Sequence, residues 1–258
     1  MGIQKVELII CDWEGCVSEP GGGRVPWNTN AIAKLSDLIN QMRKIKGCPS
    51  FVLCTGRQFP YGEAALQAVN AFWDDKPSIL ENGAGLYYPT TKEYLWNPAI
   101  TDETDKVMVD VRRKAFEAIK TFGGVRELGK EYCISLNPAE DMPVEELYHQ
   151  ILKELDEFGD IIEITHSKSA VDITPKGVNK GSGVQFLSKV TGIALKDMVG
   201  IGDTRGDLPM LSLVGHPTGP ANADENVRQL AEYVSPFKTT RGVIDIIQRY
   251  TGIQFKLT

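Results

Sequence analysis

Short apolar runs alternate with amphipathic stretches along most of the chain. Val6 to Cys11, Phe51 to Cys54 and Met198 to Ile201 are each strand-sized and almost entirely apolar. Runs of this kind are typical of strands that are buried on both faces of a parallel sheet. The pattern therefore predicts an α/β fold.

Helical spacing appears between these runs. A helix is predicted from about residue 30 to residue 45, with Asn28 or Thr29 as its cap, because apolar residues recur at helical spacing at Ile32, Leu35, Leu38, Ile39 and Met42. Further helices are predicted over 64–72 and 180–190, and a short third strand over 78–80. After the strand at 198–201 we expect only short elements.

The pattern of apolar and polar positions changes between about residues 86 and 170. Strands are predicted there at 87–88, 93–96, 132–136 and 161–164, and long helices at 103–122 and 144–158. Strands with polar alternation suggest a separate α+β module whose sheet has one open face. We therefore predict a core formed by residues 1–85 and 171–258, split by an inserted domain of residues 86–170.

Composition and charge narrow the class of protein. The 258 residues include 28 Lys+Arg and 34 Asp+Glu, giving a net charge of −6, which argues against a general nucleic-acid binder. No apolar stretch approaches the roughly 18 residues that span a bilayer, and no signal peptide is visible, so we expect no membrane partner. The five cysteines form no CxxC pair, which favours the reducing cytoplasm.

Candidate catalytic and binding residues lie directly after the predicted strands. Ligands of parallel sheets bind where the carboxyl ends of strands meet helix N-termini. Asp12 and Glu14 follow the first strand and suit a nucleophile beside a general acid, or a metal site; the alternative is an acid in a turn or helix cap. Thr55-Gly56-Arg57 follows the second strand and suits a phosphate cradle, or an ordinary turn.

Two further segments complete the candidate site. Lys180 opens a predicted helix, where its charge opposes the helix dipole and usually needs an anionic partner, although a solvated lysine is also common. Asp203 follows the strand at 198–201, and Asp207 comes four residues later. Carboxylates of this kind, together with a phosphate, suit Mg²⁺, and the alternative is a cap-and-turn stretch.

Together and in this order, these residues resemble the haloacid dehalogenase-like phosphohydrolases, and most closely their Cof-type (class IIB) branch of sugar phosphatases, which includes sucrose-phosphate and mannosylphosphoglycerate phosphatases. The resemblance covers almost the whole chain, and Glu81-Asn82-Gly83-Ala84 also fits that branch. It implies a Rossmann-like parallel-sheet core with an inserted α+β cap domain that selects the substrate.

The resemblance also implies roles for the site residues. Asp12 would attack phosphorus and form an aspartyl-phosphate that water then hydrolyses. Thr55, Gly56 and Lys180 would hold the phosphoryl oxygens, while Arg57 and Asn82 would shape the site. The Mg²⁺ cofactor would be held by Asp12, the backbone carbonyl of Glu14, Asp203 and, directly or through water, Asp207.

One departure from the family pattern affects the acid. The family usually has a second Asp two residues after the nucleophile, followed by Gly-Thr, but here these positions hold Glu14 and Cys16. The extra methylene moves the carboxyl by about one bond length, and misplacements of this order can cost about 100-fold in rate. A milder departure is Gly206, where Asn is common. Neither change removes the nucleophile or the metal site.

The sequence thus predicts a Mg²⁺-dependent phosphatase. Its expected partner is a small phosphorylated metabolite, a sugar phosphate or a phosphoglycerate-type glycoside, and the chain is expected to be a monomer or a small homo-oligomer. Two alternatives stay open: a phosphosugar mutase, and a catalytically weak sugar-phosphate-binding regulatory protein, which only Glu14 favours. A dehalogenase is disfavoured by Asp203, Asp207 and the large insert.

Overall fold

A computed structural model describes residues 5–21, 25–167 and 169–255 of the chain. The strands are β1 (Leu8–Cys11), β2 (Ser50–Leu53), β3 (Ser78–Leu80), β4 (Gly85–Tyr88), β5 (Glu93–Trp96), β6 (Val125–Arg126), β7 (Ile134–Asn137), β8 (Ile162–His166), β9 (Val171–Pro175), β10 (Met198–Ile201), β11 (His216–Gly219) and β12 (Tyr233–Val234). The helices are α1 (Thr29–Lys44), α2 (Phe59–Val69), α3 (Asp102–Thr121), α4 (Val144–Glu154), α5 (Lys180–Thr191), α6 (Leu208–Leu211), α7 (Glu225–Leu230) and α8 (Thr239–Thr251).

A five-stranded parallel sheet forms the centre of the molecule, with the strand order β12-β11-β10-β1-β2. Its central strands are completely apolar and buried, which confirms the predicted α/β fold. Cys11 lies opposite Ile201 on one side and Leu53 on the other. The segments that follow these three residues therefore emerge side by side at one edge of the sheet.

Amphipathic helices cover this sheet. Helix α1 buries the five predicted apolar positions, and Asn28 caps it by accepting a hydrogen bond from the Ala31 backbone N–H. Helix α2 begins earlier than the predicted residue 64 because Pro60 fits the first turn of a helix, where no N–H partner is needed. No helix in the described ranges is both long and apolar enough to cross a bilayer.

The C-terminal part departs most from the prediction of short elements. Helix α8 has 13 residues and packs against α1, and its buried face includes Val243, Ile244, Ile246 and Ile247. Strand β11 has the sequence His-Pro-Thr-Gly, which carries no apolar run, yet it pairs in parallel with β10. Pairing with a buried neighbour here overrides the weak local preference for a strand.

Two smaller sheets account for the middle of the chain. Strands β3, β4 and β5 form an antiparallel sheet, and a bridge between Cys54 and Ile79 joins β3 to the region beyond β2. Strands β6, β7, β9 and β8 form a four-stranded antiparallel sheet. The sequence predicted no strand at Val171–Pro175. The division of the chain after residues 85 and 170 stays a prediction.

The four-stranded sheet has one apolar and one polar face. Ile134, Leu136, Val171 and Ile173 belong to an apolar cluster with buried residues of α3 and α4. Because side chains alternate along a strand, the intervening residues Ser135 and Asp172, which pair across β7 and β9, lie on the other face. This sheet therefore presents polar groups on the side away from its helices.

A tight turn after β3 packs directly against the start of α5. Gly83 in this turn has a φ of +100°, and a Cβ atom there would lie 2.1 Å from the backbone oxygen of Asn179. Both the left-handed backbone and the close approach require glycine. The contact fixes the position of α5, and hence of Lys180, relative to the turn.

We predict that Gly83→Ala destabilises the protein far more than Gly177→Ala does. Gly177 also has a positive φ, of +80°, but a Cβ there meets nothing within 4 Å. Its substitution should cost only the left-handed backbone penalty of about 1–2 kcal/mol. Gly83→Ala should cost about 1–3 kcal/mol more through overpacking. Urea denaturation measures both free energies of unfolding, and equal losses would contradict the packing role of Gly83.

Candidate active site

Four charged side chains from three segments converge at the carboxyl edge of the parallel sheet. Asp12 follows β1, Asp203 follows β10 after one residue, and Asp207 lies in a short turn of 3₁₀ helix beyond it. The three aspartates each offer an oxygen, and these oxygens all lie within 4.8 Å of one another. Lys180, the first residue of α5, completes the group.

Lys180 forms ion pairs with two of the aspartates. Its Nζ lies 2.8 Å from Asp12 Oδ1 and 2.6 Å from Asp207 Oδ1. The lysine side chain is only 8% exposed. The anionic partners expected for a lysine at a helix N-terminus are therefore present. Burial acts to lower the pKa of Lys180, but the charges of Asp12 and Asp207 outweigh it and hold the pKa well above its ordinary value.

Asp207 has both carboxylate oxygens occupied. Oδ1 accepts from Lys180, and Oδ2 accepts from the backbone N–H groups of Asp203 and Thr204, each at 3.0 Å. The side chain is completely buried. Asp207 therefore fixes the loop that carries Asp203 and also orients the lysine ammonium.

Asp203 carries the atom that is open to a ligand. Its Oδ1 is buried and has no hydrogen-bond partner within the described part of the chain. The three aspartates and one lysine also leave a formal surplus of two negative charges in a buried cluster. A hard divalent cation with oxygen ligands would satisfy the free oxygen and neutralise the surplus charge. The residues present thus fit Mg²⁺.

The buried carboxylates have raised pKa values. Burial raises the pKa of Asp203 to about 8, and the charges of Asp12 and Asp207 add to this effect. Burial also raises the pKa of Asp12 to about 7, against the opposing charge of Lys180. Both shifts result from taking negative charge out of water without enough positive charge nearby.

The loop after Asp12 lies tightly against Asp203. Gly15 has a φ of +77°, and a Cβ there would lie 2.0 Å from Asp203 Oδ2. Asn222 donates through Nδ2 to the Gly15 carbonyl oxygen at 2.8 Å and lies 3.5 Å from Asp203 Oδ2. Asn222 is not predicted from the sequence, because it follows a strand, β11, that has no apolar signature.

The other predicted residues lie beside Asp12 along the same edge. Cys54 donates its backbone N–H to the Cys11 carbonyl, so Thr55 emerges next to Asp12. The Thr55 hydroxyl accepts the backbone N–H of Arg57 at 3.2 Å. A Cβ on Gly56 would lie 2.9 Å from Asn82 Oδ1, so Gly56 and Asn82 are in close contact. The sequence-predicted residues therefore lie in one region.

Glu14 is held by Arg57. Arg57 Nε donates to Glu14 Oε2 at 3.0 Å, and Arg57 Nη2 forms a second, very short contact with Glu14 Oε1. The guanidinium also lies over the ring of Tyr61, 4.7 Å from its centroid. This two-point pairing fixes the carboxylate that replaces the family's second aspartate. No spacing in the sequence indicates that residues 14 and 57 are partners.

Comparison with known proteins shows what the chain is similar to. A family model described as haloacid dehalogenase-like hydrolase matches residues 139–247. A phosphoglycolate phosphatase from Methanopyrus kandleri is 34% identical over 244 residues, covering 94% of this chain and 96% of that protein. Another, from Methanothermobacter thermautotrophicus, is 29% identical over 179 residues, covering 67% and 72%.

A solved structure extends the comparison to the fold. A haloacid dehalogenase-like hydrolase from Bacteroides thetaiotaomicron superposes with a TM-score of 0.70 at 16% sequence identity. The match covers 95% of this chain and 99% of that one. At this identity the likeness concerns the fold alone.

The raised pKa values predict a pH-dependent stability in EDTA. Because the pKa of Asp203 is about 8 when folded and about 4 when unfolded, the folded state binds more protons between these values. The free energy of unfolding should therefore fall, by on the order of 1 kcal/mol or more, between pH 5 and pH 8.5. Asp203→Asn should reduce this dependence and leave the part that comes from Asp12, whose pKa is also raised, as measured by urea denaturation at each pH.

Magnesium should reverse the loss in the wild type. At pH 8.5, Mg²⁺ should raise the melting temperature of the wild type but not that of Asp203→Asn, because the variant lacks the free carboxylate oxygen. A wild type whose stability rises with pH in EDTA, or a variant that Mg²⁺ stabilises equally, would contradict the assigned role of Asp203.

Proposed function

Since the chain belongs to the haloacid dehalogenase-like hydrolases and is a phosphoric monoester hydrolase, we propose that it hydrolyses a small phosphorylated metabolite through an aspartyl-phosphate on Asp12. The observation that carries the proposal is the buried cluster of three aspartates around Lys180, with its surplus of two negative charges. Such a cluster is costly to bury and suits the binding of a metal and a phosphoryl group.

The proposed reaction has two displacements at phosphorus. An Asp12 carboxylate oxygen attacks phosphorus, and the bond from phosphorus to the leaving-group oxygen breaks, so that oxygen takes up a proton. Water then attacks the same phosphorus, loses a proton, and breaks the bond to the Asp12 oxygen. The products are the alcohol, inorganic phosphate and the free Asp12 carboxylate.

The other site residues would position the phosphoryl group. Thr55, Gly56 and Lys180 would donate hydrogen bonds to its oxygens, and Asn82 would shape the wall beside Gly56. Asp12, the Glu14 carbonyl, Asp203 and Asp207, directly or through water, would hold Mg²⁺. When bound, the ion supplies positive charge that offsets the negative charge developing on the phosphoryl oxygens.

Glu14 is the proposed proton donor and acceptor, and Arg57 the residue that orients it. Both Glu14 oxygens accept hydrogen bonds from Arg57. Each of these oxygens has a second lone pair, which can carry a proton while the hydrogen bond to Arg57 is kept. The pairing makes the acid step sensitive to what else binds Arg57.

The substrate is proposed to be a small phosphate ester. The two relatives described above carry the name phosphoglycolate phosphatase, which favours a phosphorylated hydroxy acid beside the sugar phosphates and phosphoglycerate-type glycosides that the sequence suggests. The region between residues 86 and 170 is the proposed cap. The proposed location is the cytoplasm, because all five cysteines are free thiols.

The first test is phosphate release from p-nitrophenyl phosphate, phosphoglycolate and a panel of sugar phosphates, with Mg²⁺ or with EDTA. We expect release that requires Mg²⁺ and that Asp12→Asn abolishes. Asp37→Asn, which changes an exposed aspartate on α1, should leave the rate unchanged. Undiminished release in Asp12→Asn would refute the nucleophile, and phosphate transfer to a second sugar hydroxyl would indicate a mutase.

The second test addresses Glu14 through the leaving group. Glu14→Gln keeps the shape but cannot donate a proton. The variant should lose about 100-fold in kcat on phosphoglycolate, whose alkoxide needs a proton, and less than about tenfold on p-nitrophenyl phosphate, whose phenolate leaves without one. Equal losses on the two substrates would mean that Glu14 acts only through its pairing with Arg57.

A further inference from the structure

A carboxylate of the protein lies between two cations above the candidate active site. Glu127 Oε2 is 3.0 Å from Lys130 Nζ and 3.6 Å from Arg57 Nη1. The Lys130 and Arg57 side chains are only 6% and 10% exposed, so the three charged groups are largely shielded from water. Neither Glu127 nor Lys130 belongs to a sequence motif of the site.

The two cations come from different sheets of the molecule. Arg57 follows β2, two residues after Thr55, whereas Lys130 and Glu127 lie in the segment between β6 and β7 of the four-stranded sheet. Arg57 is fixed by Glu14, as described above. Lys130 is fixed by Ser135, whose hydroxyl accepts from its Nζ at 2.5 Å. The slot between them is thus lined by groups held independently of Glu127.

The segment that carries Lys130 is anchored to the turn beside Gly83. Glu81 Oε2 accepts the backbone N–H groups of Glu131, Tyr132 and Cys133 at 2.9, 2.8 and 3.1 Å. Asn82 Nδ2 also donates to the Cys133 sulfur at 3.2 Å. These contacts hold Lys130 over the same loop that packs on Gly56.

The electrostatics of the slot favour a carboxylate. Burial acts to raise the pKa of Glu127, but the charges of Lys130 and then Arg57 outweigh it and lower the pKa below its ordinary value. A guanidinium and an ammonium around one carboxylate form charge-assisted hydrogen bonds, which are the stronger kind. Any second carboxylate of similar size would gain the same stabilisation.

We propose that Arg57 and Lys130 bind a carboxylate on the leaving group of the substrate, and that Glu127 occupies this position when no such substrate is bound. This inference rests on the proposed phosphatase function and names its substrate class: phosphate esters of small hydroxy acids. The exchange replaces one carboxylate by another, so neither cation is left unpaired and buried. A neutral sugar hydroxyl cannot replace Glu127 in this way, because it carries no charge.

The replacement of Glu127 by the substrate carboxylate also affects the affinity of the site for its substrate. Glu127 competes with the substrate carboxylate, so removing its charge should strengthen binding. Removing the Lys130 charge should weaken binding of carboxylate-bearing substrates and affect neutral ones less. These opposite effects distinguish a binding slot from a purely structural salt bridge, since breaking a structural pair from either side is harmful.

The test compares two substrates that differ only at the end group, phosphoglycolate and 2-hydroxyethyl phosphate, in Lys130→Gln, Glu127→Gln and Lys120→Gln. Lys120 is an exposed lysine at the end of α3 and serves as the matched control. In Lys130→Gln the ratio of kcat/KM for phosphoglycolate to that for the neutral ester should fall about tenfold, mainly through KM. Glu127→Gln should lower KM for phosphoglycolate severalfold, and Lys120→Gln should match the wild type.

A binding measurement separates this inference from the proposed function. Calorimetry with 3-phosphonopropionate and 3-hydroxypropylphosphonate, which cannot be hydrolysed, should show the same preference for the carboxylate and its loss in Lys130→Gln. That preference without any turnover would contradict the phosphatase function but would support carboxylate binding by Arg57 and Lys130. Turnover in which Lys130→Gln lowers both substrates equally, or in which Glu127→Gln raises KM for phosphoglycolate, would overturn the slot.

Discussion

The ammonium of Lys180 makes it possible to bury three aspartates at one edge of the sheet. It bonds to Asp12 and Asp207, which come from loops at the ends of neighbouring parallel strands. Without this cation the buried carboxylates would lack compensation, a loss that typically costs about 3–5 kcal/mol. The start of α5 is in turn fixed by the turn at Gly83. The geometry of the site therefore depends on the packing of one helix terminus.

The compensation by Lys180 is incomplete, and the proposed function assigns a role to the remaining negative charge. Burial, with one positive charge among three negative ones, leaves the pKa of Asp203 at about 8, and one oxygen of that residue has no partner among the residues that the structure describes. The protein thus gives up stability at a place where a divalent cation and a phosphoryl group would bind. Beside the site, Arg57 pairs with both Glu14 and Glu127, and so links the proposed acid to the segment that is proposed to bind the leaving group.

The sequence predicts the residues of the cluster but not their partners. Asp12, Thr55 and Asp203 follow apolar strands, and Lys180 opens a helix, so the topology of a parallel sheet alone brings them together. The pairing of Glu14 with Arg57, and the position of Lys130, depend on tertiary packing that no local pattern encodes. Strand β11 and Asn222 escape prediction for a related reason, because His-Pro-Thr-Gly becomes a strand only through its neighbour β10. Helix α8 is longer than the short elements predicted for this region, although its apolar positions are regularly spaced.

The proposed function depends above all on covalent phosphorylation of Asp12. The most direct measurement is acid quenching of the protein during steady-state turnover of phosphoglycolate with Mg²⁺, followed by peptide mapping by mass spectrometry. We expect a phosphoryl group on the peptide that contains Asp12, located on that carboxylate and absent in EDTA. A phosphoryl group on another residue, or rapid turnover with none on the protein under conditions that preserve acyl phosphates, would contradict it.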